Sequence, residues 1–323
     1  MLKKVFRNAF VFILASLLLV YFNGCSHDIQ TNSKTTNTTN PVKKEKVFAI
    51  VYPILHPFFA DTTMGAEETA SKMGCKLIVK APNKFDIQTQ ISMVEELISM
   101  SVDGIGIGPT DSDALTPVIN KAVAAGIKVV CFDTDAPKSN RLSYIGTDNI
   151  KAGKHMGAVL AKNLNNEGKI LVSMGVPSQL NLNQRVDGLK QYLDSSSNIK
   201  ILDIKSNMGD PDIAISEIEE MINKYPDFDS LVCIDSLSGP AAVLVWKAKG
   251  FEKKLLIAFD DQPEVMQGIK DNKVTATICQ KQNMWGMLII NRLNEACEGK
   301  IIPEFEDTGT IEVTNSIINT YKN

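Results

Sequence analysis

The sequence predicts an α/β protein built from two doubly wound, mainly parallel sheets. Short runs rich in Val and Ile alternate with amphipathic segments from Lys46 onward. This is the pattern of strands buried on both faces with helices between them. About nine such runs are too many for one compact sheet, and 323 residues, 44% of them hydrophobic, are enough for two cores.

The elements follow in order. VFAIVY is a strand, and the helix over 59–73 stops at Gly74, a natural C-terminal terminator. A strand over 76–79, a helix over 87–100 and the strand GIGIG at 104–108 come next. In PTDSDALTPVINKAVAAG, Leu115, Val118, Ile119, Ala122 and Val123 recur at helical spacing, with Asp111 placed to cap the helix. The strand IKVVCF then closes the first series. The second series has strands over 169–172, 199–204, 230–234, 254–259 and 276–279. Its helices cover 152–164, 185–193, 213–223, 240–249 and 263–271.

The first 24 residues read as an export signal, with Lys3, Lys4 and Arg7 ahead of an apolar run that closes on Gly24-Cys25. That junction resembles a bacterial lipoprotein signal, in which Cys25 would carry the lipid and anchor the chain to the outer face of the cytoplasmic membrane. Residues 25–45 are almost free of apolar side chains and should form a tether. A net charge of −3 argues against a nucleic-acid surface. The other cysteines form no CxxC pair or zinc spacing, and no HExxH occurs, so neither a metal nor a cofactor is expected.

Ligands on doubly wound sheets bind beyond the carboxyl ends of strands. Those ends carry Tyr52 with His56, Phe58 and Phe59, then Asp133, Asp235-Ser236, Asp260 and Gln280. Carboxylates and amides bond vicinal hydroxyls in pairs, and aromatic faces cover the C–H side of a sugar ring. The bland alternative is that Asp133 and Asp260 cap the next helices, and that Phe58 and Phe59 staple the helix they open. Three strands ending in Asp across two lobes favour a shared site.

FAIVYPILHPFFADTTMGAEETASKMG, YIGTDN, NQRVDGL and IAFDDQPEVMQGIKDNKVTATICQ together resemble the type I periplasmic sugar-binding proteins of the ribose-binding kind. The resemblance covers nearly the whole chain from Lys46. It implies a non-enzymatic receptor that closes on a small monosaccharide and hands it to an ABC permease, or signals through a membrane histidine kinase or chemoreceptor. It implies a three-strand hinge near Thr147-Asp148, Gln280-Lys281 and Gly309-Thr310, with 46–147 plus 281–309 in the first lobe and 148–280 plus 310–323 in the second. By the same resemblance Tyr52, His56, Phe58 and Phe59 touch the sugar, Asp133 grips ring hydroxyls, and Asp260 and Gln280 bond it from the second lobe. Asp235 or Ser236 matches a further contact, and Asn183 falls where many relatives place an arginine. Thr134 also stands where ribose binders carry Arg. Two missing fork-shaped donors point to another pentose or a related small polyol-like ligand, D-xylose first.

Two rival readings fail on context. The glycines of GIGIG alternate within a strand, and Pro109-Thr110 follows where a dinucleotide fold would open a helix. A repressor would carry a helix-turn-helix where the export signal stands. A glycosidase could use the same aspartates, with a raised acid opposite a partner carboxylate, and incubation with aryl-glycosides separates it from a receptor.

Overall fold

The computed structural model describes residues 44–321. The export signal, Cys25 and nearly all of the tether lie outside them. In chain order the first strands and helices are β1 (Val47–Val51), α1 (Ala60–Met73), β2 (Lys76–Lys80), α2 (Ile87–Ser99), β3 (Gly104–Ile107), α3 (Ser112–Ala124), β4 (Lys128–Phe132) and β5 (Ser143–Gly146). Then come α4 (Asn149–Asn163), β6 (Glu167–Met174), α5 (Leu180–Ser196), β7 (Asn198–Ser206), α6 (Pro211–Lys224), β8 (Ser230–Cys233) and α7 (Ser238–Lys249). The series closes with β9 (Leu255–Phe259), α8 (Pro263–Lys270), β10 (Ala276–Cys279), α9 (Gln282–Cys297), β11 (Phe305–Asp307) and β12 (Ile311–Val313).

Two sheets of six strands result, ordered β11-β5-β4-β3-β1-β2 and β12-β10-β9-β8-β6-β7. All pairings are parallel except β12 on β10. The chain passes between the sheets after β5, after β10 and after β11. Successive strand residues feed opposite cores, as the two-residue repeat of a strand requires. In β1, Phe48 and Ile50 pack with Trp285 and Ile289, while Ala49 and Val51 pack with Val94 and Leu115. In β6, Leu171 and Val172 divide the same way between the two cores of the second lobe.

The alternating glycines of β3 have a packing cause. A β-carbon on Gly106 would stand 2.6 Å from Ile289 Cγ2, and one on Gly104 would meet Leu293 and Phe48. Helix α9 lies directly on that strand. Asp111 caps α3, its Oδ1 accepting from Asp113 N and Ala114 N at 3.0 and 2.8 Å.

The expected strand count falls short by β5, β11 and β12, each of three or four residues. The helix expected over 185–193 begins earlier, at Leu180. That difference bears on the site.

Candidate functional site

The carboxyl ends of β4 and β9 face each other across the space between the lobes. Each is followed by an aspartate in the left-handed region, Asp133 at φ 60° and Asp260 at φ 67°. Left-handed backbone is tolerated by Asp and costs about 1–3 kcal/mol elsewhere, so it clusters where a side chain must be aimed. Neither residue caps a helix. Asp133 is 6% exposed and Asp260 2%.

The second lobe surrounds its carboxylate with a fixed polar network. Arg185 is buried, its guanidinium 4.0 Å from the centre of the Phe259 ring. Its Nε donates to Asn149 Oδ1 at 2.9 Å, Nη1 to the Ile234 carbonyl at 3.1 Å, and Nη2 to Gln280 Oε1 at 3.1 Å. Gln280 Oε1 also accepts from Thr147 Oγ1 at 2.7 Å, and its Nε2 donates to Asp260 Oδ1 at 3.0 Å. Gln280 therefore ties two chain crossings to the site. Behind Asp235, the Asn207 amide donates to Asp235 Oδ2 and to Ser238 Oγ; Ser238 in turn meets Ser173, which donates to Glu217.

The first lobe contributes aromatic surface. Phe58 and Phe59 form a short 3-10 turn with Pro57, capped by His56, whose Nδ1 accepts from Phe58 N at 3.2 Å. Phe58 meets Trp285 edge-on at 5.9 Å, and Phe59 stacks on Tyr52 at 4.6 Å. Burial lowers the basicity of His56, and Asp235 opposes that shift.

A small cavity lies between these walls. It brings together His56, Phe58, Phe59, Asp133, Asp235, Ser236, Asp260 and Gln280. Both of the alternatives Asp235 and Ser236 reach it.

Two expected contacts lie outside the cavity. Tyr52 does not line the cavity: it continues the face of Phe48 and Ile50, stands behind Phe59, and bonds Thr63 Oγ1 at 2.8 Å. Asn183 is exposed on α5 and donates to the carbonyls of Pro177 and Gln179. Asn181 and Arg185 line the cavity instead. Residues two apart on a helix point about 200° apart, whereas i and i+4 share a face. Position 183 itself carries no arginine, and Arg185 is an additional cation at the cavity that the sequence reading did not assign.

The lobes are closed on the cavity. Asn181 Nδ2 reaches Asp133 Oδ1 across the gap at 3.3 Å, and Ser178 Oγ donates to the Thr110 carbonyl at 3.3 Å. Burial pushes Asp133 up to about 6, with Arg185 and Asn181 holding it back. The same cause lifts Asp260 to about 8 against Arg185 and Gln280. Two carboxylates, a fork-shaped cation and an amide facing an apolar wall suit a neutral polyhydroxylated ligand. Among the described residues no group of His, Cys, Asp or Glu is arranged to hold a metal ion.

The periplasmic binding protein domain matches residues 47–301. The chain belongs to that family. This periplasmic binding protein is 28% identical over 292 residues to the ribose import binding protein of Bacillus subtilis, covering 90% of this chain and 93% of the relative. Its fold is similar to that of a solute binding protein of Burkholderia graminis solved with D-arabinose, with TM-score 0.84 and 31% identity, covering 87% of this chain and 99% of the other. It is also similar to XylFII in the XylFII–LytSN complex, with TM-score 0.80 and 28% identity over 84% of this chain and 98% of the other. The family and these relatives are substrate-binding proteins, not enzymes.

Proposed function

We propose that this protein is an extracytoplasmic receptor that closes on one small monosaccharide, a pentose, and presents it to an ABC importer. The observation that carries this reading is the convergence of Asp133 from one lobe and Asp260 from the other in one closed cavity, against Phe58 and Phe59. A sugar bonded to both carboxylates collects those bonds only in the closed state, so its binding favours closure. The likeness to a ribose import binding protein and to a solute binding protein solved with D-arabinose adds D-ribose and D-arabinose to D-xylose as ligands to test. Titration calorimetry with the three pentoses, and with D-glucose as a larger control, should give saturable one-to-one binding of a pentose. Heats at the dilution baseline for all three pentoses would refute the proposal, and turnover of aryl-glycosides would refute a pure receptor.

The likeness to XylFII in its complex with LytSN favours a second reading, in which the closed form reports the sugar to a membrane histidine kinase. Crosslinking to intact membranes with and without sugar separates them, by capture of a permease or of a sensor. We place the chain at the membrane through a lipid on Cys25. Cys25→Ser should release it to the medium or stall processing, and equal membrane retention would count against a lipid anchor.

A further inference from the structure

Phe85 stands on the loop between β2 and α2, in the first lobe, and is partly buried. Its ring lies over Gly209, on the turn that follows β7 in the second lobe. A β-carbon on Gly209 would overlap Phe85 Cδ2 and would stand 2.6 Å from Cε2 and 3.1 Å from Val176 Cγ2. Gly209 also holds φ +79°, directly after Met208 at φ 55°. Close approach and left-handed backbone both demand glycine there. Asn207 sets this turn: its Oδ1 accepts from Gly209 N at 2.8 Å, while its amide donates to Asp235 Oδ2 at 3.2 Å. Phe85, Val176, Gly209 and Asp235 all line the cavity.

We infer that Phe85 and Gly209 form a knob-and-hole latch that seals the closed cavity and slows release of its ligand. The inference rests on the reading of the cavity as a sugar site. Phe85 is a positioning residue here. Its ring buries apolar surface against Gly209 only when the lobes are together, so it stabilises the closed state over the open one. Such a contact acts on dissociation more than on encounter. A larger residue at 209 would meet the Phe85 ring and hold the lobes apart. Asn207 links the hole to Asp235, so the latch and the polar wall share one support.

Stopped-flow fluorescence tests this, because buried Trp285 packs on Phe58 at the cavity wall and should report the bound state. Phe85→Ala should speed release of the bound pentose roughly tenfold or more while association changes less than about twofold. Phe85→Leu should restore part of the slow release, and the melting temperature of the sugar-free variants should stay near wild type. Gly209→Ala should weaken binding further. Adding Phe85→Ala to Gly209→Ala should then recover part of the affinity, because it removes the clash with the ring and leaves only the strain of Ala at a left-handed position. Wild-type release from Phe85→Ala, or losses that simply add in the double variant, would overturn the latch. If the wild type binds none of the pentoses, the sugar reading has failed, and oxidative trapping of the closed state through a cysteine pair at Thr110 and Ser178, which meet across the lobes, decides the latch alone. Slower trapping with Phe85→Ala would support it, and equal rates would overturn it.

Discussion

The two lobes end a central strand in the same way and use it differently. Phe132-Asp133 closes β4, and Phe259-Asp260 closes β9, each Asp left-handed and each backbone N–H donating to the next strand, at Ile145 and Ile278. The rings diverge. Phe132 joins Tyr52, Phe59 and Trp285 in an aromatic cluster, whereas Phe259 lies under the Arg185 guanidinium. The carboxylates diverge too: Asp260 is held by Gln280 beside it, but the Asn181 amide on Asp133 comes from the opposite lobe. The second lobe therefore holds its polar groups in place before closure, and the first completes its own only by closing. An equal backbone device serves a prebuilt polar wall on one side and a stacking wall on the other.

Removing Arg185 should break this contrast most severely. Arg185→Leu leaves Gln280, Asn149 and both carboxylates without their shared cation, costing about 3–5 kcal/mol of stability and abolishing binding. Urea unfolding and calorimetry check both effects, and a fully stable Arg185→Leu would show that the network is not organised around it. Asp133→Ala and Asp260→Ala should each cost roughly 2–4 kcal/mol of sugar affinity through lost bonds and unpaired partners. Calorimetry finding either variant at wild-type affinity would leave the grip on one lobe alone.

The aromatic wall comes next. Phe58→Ala and Phe59→Ala should weaken binding by about 1–3 kcal/mol each. Phe59→Ala should also lower the melting temperature more, because Phe59 packs on Tyr52 and Phe132. Unchanged affinity in both would remove the stacking role.

The effect of pH is on stability rather than on affinity. Burial holds Asp133 at about 6 and Asp260 at about 8, above the ordinary 3.8. Glu217, buried beside Ser173, is raised to about 7 and acts with the same sign. In the closed form the folded protein then binds more protons than the unfolded chain from about pH 4 to pH 8. Its stability should fall as pH rises through that window, by up to ~1.4 kcal/mol per proton per pH unit. Asp260→Asn should flatten the upper part of a melting-temperature profile. A profile rising from pH 5 to pH 8 would contradict these raised carboxyls.

The two-lobed fold was legible because each strand carries apolar residues for two cores and each helix carries one apolar stripe. The missing strands had no such signal. FED and IEV are short and largely polar, and they pair only at a sheet edge. Helix α9 does carry a signal, with Trp285, Leu288, Ile289, Leu293 and Ala296 buried at helical spacing. Strand ends located Asp133, Asp235, Asp260 and Gln280, because the sheet fixes where each strand stops. Arg185 was harder. It sits mid-helix, and only the stripe Asn181, Leu182, Arg185, Val186 and Leu189 shows that it turns inward while Asn183 turns out. Phe85 lies on a loop, and its partner is a glycine more than a hundred residues away, so nothing local marks it.

Closure itself is the central claim, and small-angle scattering with and without saturating pentose tests it most directly. The account predicts a sugar-free protein more extended than the closed structure, and compaction to that structure as sugar binds. Saturable binding with an unchanged radius of gyration would contradict a grip shared between Asp133 and Asp260.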